Sequence, residues 1–206
     1  MNFDLEGVTY QGAPVDDPET LSRLTLGHRA LLRQLNGFVA YSGALHVRGA
    51  VREPEWHSLR AAWEGPAALH VLYSTVEAMD VPFAQDALGD QFLLRDGAVY
   101  RLVGETGDLQ GLDLALGSFM EQVSADPRGY LNLALLERFW ADGERLLPGQ
   151  LLSVYPLSHG RLPAPWLPVS GLEKGGNRVG EPKLGSTVPP ARHMGSSRSP
   201  WRASPC

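Results

Sequence analysis

The chain has little of the chemistry on which many protein functions depend. Its one cysteine is Cys206, the last of 206 residues, so no disulfide can form within the chain, a pattern typical of a reducing compartment. No apolar run approaches the roughly 20 residues that cross a membrane. The opening residues carry acids where a secretory signal needs basic residues. We therefore expect a cytoplasmic protein that does not contact the membrane.

The motifs of common catalytic centres are also missing. The sequence contains no G-x-S-x-G nucleophile turn, phosphate-binding loop, H-E-x-x-H zinc motif or dinucleotide glycine pattern. His28 lies in the apolar stripe of a predicted helix, where a hydrogen-bonded histidine at the edge of the core is favoured over a catalytic base. We predict that the protein is not an enzyme and uses neither a cofactor nor a metal.

Lysine is absent from residues 1–156, and the charge is split along the chain. Residues 1–156 hold 11 arginines against 21 acids, a net charge of −10, whereas residues 157–206 hold 7 basic residues and 2 acids, a net charge of +5. An acidic body repels the phosphates of nucleic acids, so no direct nucleic-acid binding is expected. The same charge favours a basic protein partner.

The composition also changes near residue 157. The last 50 residues include 8 Pro, 7 Gly and 7 Ser, and such a segment buries too little apolar surface to offset its ordering entropy. We predict one folded domain, residues 1–156, and a disordered tail, residues 157–206. The abrupt change is also what a frame-shifted ending would produce, so a non-native tail stays an open alternative.

The clearest local pattern is a β-hairpin. Two runs rich in aromatic and branched residues, 91–94 and 98–102, flank Asp96-Gly97. Both turn residues adopt positive φ at low cost, so the spacing predicts a tight hairpin turn. Further turns at Gly89-Asp90 and at 105–108 indicate an antiparallel meander.

Helices and further strands are predicted around this hairpin. Asp17-Pro18 begins a helix that ends at Asn36-Gly37. The other predicted elements are a strand over 43–48, a helix from Glu53, a strand over 67–73, a helix over 130–140 and a closing strand over 150–155. The run 111–116 leads into a further helix with Phe119, Met120 and Val123, which ends at Asp126-Pro127. Helices segregated from runs of strands predict the α+β class.

Two groups of residues invite a binding role. Asp80, Asp86, Asp90 and Asp96 could bind a hard cation, but they lack the spacing of a calcium loop, and aspartate is common in turns. Trp56, Leu59 and Trp63 are spaced three and four apart, which predicts one helical face. That face is favoured as core, with a ligand-stacking platform as the alternative.

The stretch Val81-Pro82-Phe83-Ala84-Gln85-Asp86-Ala87-Leu88-Gly89 resembles the Pro-Phe-Ala-x-Asp-x-x-Gly motif of the SUKH superfamily of bacterial immunity and cell-wall-regulator-related domains. Support comes from the run Val99 to Leu102 and from the helix around Phe119. The resemblance covers roughly residues 20–156. It implies a twisted, mostly antiparallel sheet flanked by helices, in which Pro82, Phe83, Asp86 and Gly89 define the fold.

The resemblance also implies a function without catalysis. Many members of the family are thought to neutralise toxins of inter-bacterial competition by binding them. We therefore expect an immunity protein for a cognate toxin, such as a basic nuclease, with Asp80, Asp90 and Trp56 as guesses for partner contacts. A small-molecule-binding or enzymatic domain that uses the Trp56/Trp63 face is the alternative, and a regulatory scaffold is a third hypothesis.

Overall fold

The fold is α+β and is organised around one antiparallel sheet. A computed structural model describes residues 5–154 and 201–205. Seven strands lie side by side in chain order, each antiparallel to its neighbours. They are β1 (Tyr10–Gln11), β2 (Phe38–Ala40), β3 (Leu45–Val47), β4 (Val81–Asp86), β5 (Gln91–Arg95), β6 (Ala98–Leu102) and β7 (Leu109–Ala115).

The predicted hairpin is confirmed as β5 and β6. Leu94 pairs with Val99 and Arg95 with Ala98, and the two turn residues, Asp96 and Gly97, have φ values of 50° and 83°. Positive φ at both central positions matches the twist of the flanking strands, which is why Asp-Gly fits this turn.

Seven α-helices surround the sheet among the described residues. They are α1 (Pro18–Arg23), α2 (Leu26–Gln34), α3 (Leu59–Glu64), α4 (Leu69–Leu72), α5 (Leu116–Ala125), α6 (Pro127–Tyr130) and α7 (Leu133–Ala141), with 3₁₀ turns at Tyr41–Gly43 and Glu55–His57. Both faces of the sheet are covered. Phe83, Phe92 and Val99 pack on one side with Phe119 of α5, and Leu93 and Leu102 pack on the other beneath the α4 region.

The single helix predicted from Asp17 to Asn36 is two helices. Asp17 caps α1 and Pro18 begins it, as predicted. Leu24 is extended, however, and the hydroxyl of Thr25 accepts from the His28 amide to cap a new helix. The apolar periodicity did not reveal this break because Leu21, Leu24 and Leu32 still reach the same core cluster.

One other predicted element is wrong. The run 67–73, predicted as a strand, contains the short helix α4, and Leu69 and Tyr73 stand one helical turn apart over Leu93. The predicted helix with Phe119, Met120 and Val123 is confirmed as α5, which begins at Leu116, and the residues that lead into it form strand β7. Short apolar runs carry too few periods to separate the two structures.

A second, two-stranded sheet lies at the end of the described chain. The predicted closing strand is β8 (Gln150–Val154), and it pairs with β9 (Trp201–Pro205) inside the predicted tail. The amide of Leu152 donates to the carbonyl of Ala87, which links β8 to the turn after β4. The remainder of the tail, 157–200 and 206, lies outside the described residues.

None of the helices in the described part of the chain has the length and apolar character that crossing a membrane requires.

Candidate functional site

Two buried histidines lie at the centre of a hydrogen-bonded network of polar groups. His46 belongs to β3, and His57 ends the 3₁₀ turn that begins at Glu55. Nε2 of His46 lies 2.9 Å from Nδ1 of His57, and Nε2 of His57 lies 3.2 Å from the carbonyl oxygen of Asn36. Both imidazoles are buried, so their hydrogen-bond partners determine their tautomers.

The direction of the hydrogen bonds follows from the carbonyl at one end. A carbonyl only accepts, so His57 Nε2 donates to Asn36 and His57 Nδ1 is left to accept from His46 Nε2. His46 Nδ1 then accepts from the Gln85 amide, 3.2 Å away. The Gln85 oxygen accepts in turn from Arg48 Nη2 at 2.7 Å. The hydrogen bonds run one way, from Arg48 to Asn36, with both imidazoles neutral.

The electrostatic surroundings agree with neutral imidazoles. Burial lowers the pKa of His57 to about 4, with the Arg48 charge adding to the effect of burial. The pKa of His46 is lowered well below its usual range by burial, by Arg48 and by His57. A proton on either ring would place two N–H groups against each other. The histidine pair therefore stays uncharged at neutral pH.

The backbone encloses the His57 ring so closely that glycine is required beside it. A Cβ at Gly12 would lie 2.6 Å from His57 Nε2, and one at Gly37 would lie 2.5 Å from Cε1. A Cβ at Gly49 would lie 2.8 Å from Nε2. Real Cβ atoms do not approach this closely, so the three glycines and His57 form one packed unit. This unit could not be predicted from the sequence because its residues are far apart in the chain.

The predicted Trp56/Trp63 face is corrected by the structure. A bend at Ser58 separates the 3₁₀ turn from α3. Trp56 is half-buried against Tyr10, His46 and His57. Trp63 is buried in another cluster, and its indole donates to the carbonyl of Ala78. The two tryptophans do not form a common platform.

The space beside the histidine pair is small. A recess of about 10 Å³ lies over His46 and Gln85, closed by Gly149, Gln150 and Leu151. That volume holds no more than a water molecule. The recess beside the histidine pair is therefore too small for an organic substrate.

The four motif residues lie on β4 and in the turn that follows it. Pro82 and Phe83 are buried in β4. Asp86 Oδ1 accepts from the amides of Leu88 and Asp90, and Gly89 has φ +92°. Asp86 therefore closes the turn, and Gly89 supplies the left-handed residue that the turn needs.

Asp86 and Asp90 share one arginine and one asparagine. Arg101 Nη2 lies 2.6 Å from Asp90 Oδ2 and 3.4 Å from Asp86 Oδ2, and Asn132 Nδ2 donates to both. Burial and the neighbouring Asp90 charge raise the pKa of Asp86 to about 6, against the effect of Arg101. The cluster joins the β4–β5 turn to β6 and to the start of α7.

The guessed partner contacts Asp80 and Asp90 face inward. Asp80 is 2% exposed, and its carboxylate accepts from Arg95 Nε at 2.8 Å and Nη2 at 2.6 Å. Asp90 is 8% exposed and accepts from Arg101 and from the Gly104 amide. Both carboxylates are occupied within the domain, so their observed contacts are structural. Trp56, the third guess, keeps part of its ring exposed.

Six exposed acids lie elsewhere, in residues 96–127, which we call the acidic segment: Asp96, Glu105, Asp108, Asp113, Glu121 and Asp126. Its one basic residue, Arg101, is held by Asp90. The segment has a net charge of −5. It was not predicted because the acidic body was treated as a whole.

Within the part of the chain that the structure describes, no group of three or more histidine, cysteine or acidic side chains is arranged to hold a metal ion. Comparison with family models, with curated proteins and with solved structures finds no match to the chain.

Proposed function

We propose that this chain is a non-enzymatic protein-binding module, an immunity protein that neutralises a cognate bacterial toxin by direct binding. The acidic segment is the observation that carries the proposal. Six exposed carboxylates lie there, and the only arginine among them is already engaged by Asp90. A toxin that cleaves nucleic acid presents cationic surface, which such a region attracts.

Charge neutralisation within the fold supports the same role. Arg60 binds Asp17 and Glu19, Arg95 binds Asp80, and Arg101 binds Asp90. These arginines compensate acids of the domain itself, which leaves the acids of residues 96–127 without basic neighbours in that segment. Association through these exposed acids would be fast and would weaken with salt.

The small-molecule or enzymatic alternative has less support. It depended on a shared Trp56/Trp63 face, and these side chains lie in separate clusters. The recess over His46 holds only about 10 Å³, far below the roughly 300 Å³ of typical ligand pockets. A more open recess of about 320 Å³ is lined by residues 12–15 and 32–36, which include neither tryptophan.

The test combines capture with rescue of growth. The full chain, immobilised, is exposed to lysate of the source organism at low and high salt, and the retained proteins are identified by mass spectrometry. Each gene is then expressed in a bacterial host with and without this chain. We expect one retained protein that is toxic alone and harmless with the chain. The proposal fails if no retained protein is toxic or if the chain does not restore growth.

A further inference from the structure

Among the strands that the structure describes, the last one in the seven-stranded sheet has no neighbour on its outer edge. Strand β7 is last in the strand order, and β6 is its one partner among them. Leu109, Gln110 and Gly111 stand opposite Leu102, Arg101 and Tyr100. Within the described residues, these three make no backbone hydrogen bond outside that pairing. Gln110 and Gly111 are exposed.

The register determines which backbone groups point outward. The amide of Val103 donates to the carbonyl of Asp108 at 2.9 Å, so Val103 and Asp108 are a hydrogen-bonded pair. Hydrogen-bonded and non-hydrogen-bonded pairs alternate along an antiparallel ladder. Gln110 is therefore turned toward β6, whereas Leu109 and Gly111 direct their N–H and C=O groups away from the sheet.

Along Leu109–Gly111, the edge of β7 has none of the residues that commonly prevent pairing with another strand. Edge strands are commonly blocked by lysine or proline, and residues 109–115 contain neither. Beyond Gly111 the register shifts, and Asp113 adopts φ +54°. This irregularity limits the open ladder to the first part of β7.

The charges beside this edge indicate which kind of partner would pair with it. Asp108 and Asp113 flank the open residues and are exposed. A second copy of the chain would place the same acids opposite each other, which disfavours self-pairing. An extended cationic segment would meet both acids favourably while its backbone pairs with Leu109 and Gly111.

We propose that the outer edge of β7 at Leu109–Gly111 is the docking site for an extended basic segment of a protein partner, which adds an eighth strand to the sheet. This inference rests on the proposed toxin-binding function and specifies its contact surface. Backbone pairing would fix the register of the segment, and Asp108 and Asp113 would select its basic side chains.

The test uses the full chain and defined probes, so it does not depend on finding the toxin. The first probe is a short peptide of alternating arginine and valine. The second has the same charge but is N-methylated on the backbone edge that would pair, and the third replaces arginine with glutamate. Binding is followed by the NMR shifts of the Leu109 and Gly111 amides.

We expect the first peptide to bind with shifts centred on these amides, and the N-methylated peptide to bind about tenfold more weakly, about 1.4 kcal/mol. The glutamate peptide should not bind. Equal binding of the first two peptides would overturn the edge pairing, as would shifts located elsewhere. Dimerisation of the chain through this edge, detected by analytical ultracentrifugation, would also contradict the proposal that a basic segment binds there.

Matched variants distinguish the contribution of backbone pairing to peptide binding from the contribution of side-chain charge. Gly111→Pro removes an outward amide while the pairing of Gln110 with β6 is kept, and Gly111→Ala is its control, because a Cβ there meets only the Tyr100 ring at 3.4 Å or more. Asp108→Asn with Asp113→Asn removes two charges, and Glu53→Gln with Glu55→Gln removes two from exposed residues outside the acidic segment.

We expect peptide affinity to fall about tenfold for Gly111→Pro and for the aspartate pair, and to stay within about twofold for both controls. Equal affinity of the proline and alanine variants would overturn the proposal. Failure of toxin rescue with intact peptide binding would instead count against the proposed function alone.

Discussion

His46 and His57 form a direct imidazole–imidazole hydrogen bond, 2.9 Å from Nε2 to Nδ1, with an angle of 22° between the ring planes. Only one proton can lie between these nitrogens. A proton added to His57 would meet the one that His46 donates, and a proton added to His46 would face the Gln85 amide. The network therefore holds both rings neutral, which links the stability of the fold to pH.

We expect the domain to lose stability as the pH falls from about 6.5 toward 4. An unfolded histidine titrates near 6.5, whereas His57 and His28 have pKa values of about 4 in the folded state. The unfolded state then binds more protons between these values, so unfolding becomes easier as acid is added. Once the pH is below about 4, each of these two histidines lowers the free energy of unfolding by on the order of 3 kcal/mol.

Asp86 opposes this trend over part of the range. Its pKa is raised to about 6 in the folded state, so the folded state binds its proton more readily and gains stability as the pH falls from 6 toward 4. The destabilisation from His28, His46 and His57 together exceeds the stabilisation from Asp86. Urea unfolding measured at several pH values checks the net effect. A free energy of unfolding that stays constant or increases as the pH falls from 6.5 to 4.5 would contradict it.

His28 is a second buried histidine site, and we expect leucine there to stabilise the protein. The ring is fully buried beside Phe83, and neither of its nitrogens has a hydrogen-bond partner in the described residues. His28→Leu removes two unsatisfied polar atoms, which should raise the free energy of unfolding by about 1–2 kcal/mol at neutral pH.

The gain from His28→Leu should increase at pH 5, because burial lowers the pKa of His28 and the unfolded state of the parent protein takes up a proton there. His70→Leu, at a half-buried position on α4, controls for loss of a histidine as such. A His28→Leu protein less stable than the parent would contradict this prediction.

Asp80 supports the fold through its charge, and we expect Asp80→Asn to destabilise it. The carboxylate accepts two hydrogen bonds from Arg95 and one from the Glu77 amide. Loss of the charge leaves Arg95 partly buried beside a neutral amide, at a cost of about 2–3 kcal/mol. Thermal unfolding should show the loss.

Asp96→Asn is the matched control for Asp80→Asn. Asp96 is exposed and has φ 50°, a conformation that asparagine also adopts, so its stability should change by less than about 0.5 kcal/mol. If both variants were equally stable, the Asp80–Arg95 ion pair would contribute nothing to the fold.

The α+β class and the β5–β6 hairpin could be predicted because their signals are local. Asp96-Gly97 fixes the turn by its own backbone preferences, and Asp17-Pro18 fixes the start of α1 in the same way. Short apolar runs were ambiguous. Residues 69–72 form a helix because packing over Leu93 and Leu102, far along the chain, decides their structure.

The candidate sites could not be predicted because they depend on contacts across the chain. Asn36, His46 and His57 meet only after β2, β3 and the 3₁₀ turn are in place. Asp80 and Asp90 looked like surface acids until the arginines that bind them, Arg95 and Arg101, were located. The outward groups of β7 likewise follow from strand order and register.

The glycines around His57 give a final prediction. Gly49→Ala would place a Cβ 2.5 Å from the carbonyl oxygen of Asn36, the group that accepts the His57 hydrogen bond. The neighbouring atoms are backbone and a buried ring, so they cannot move aside at low cost. We expect a loss of at least about 2 kcal/mol and a change in the NMR signals of the His57 ring.

Gly27→Ala is the control for Gly49→Ala. Gly27 lies in α2, and a Cβ there would have no neighbour within 4 Å. Alanine in a helix should stabilise the protein by about 0.5–1 kcal/mol. The two variants make the same chemical change and should shift the midpoint of urea unfolding in opposite directions. A Gly49→Ala protein as stable as the parent would show that the backbone around His57 has room that the structure denies it.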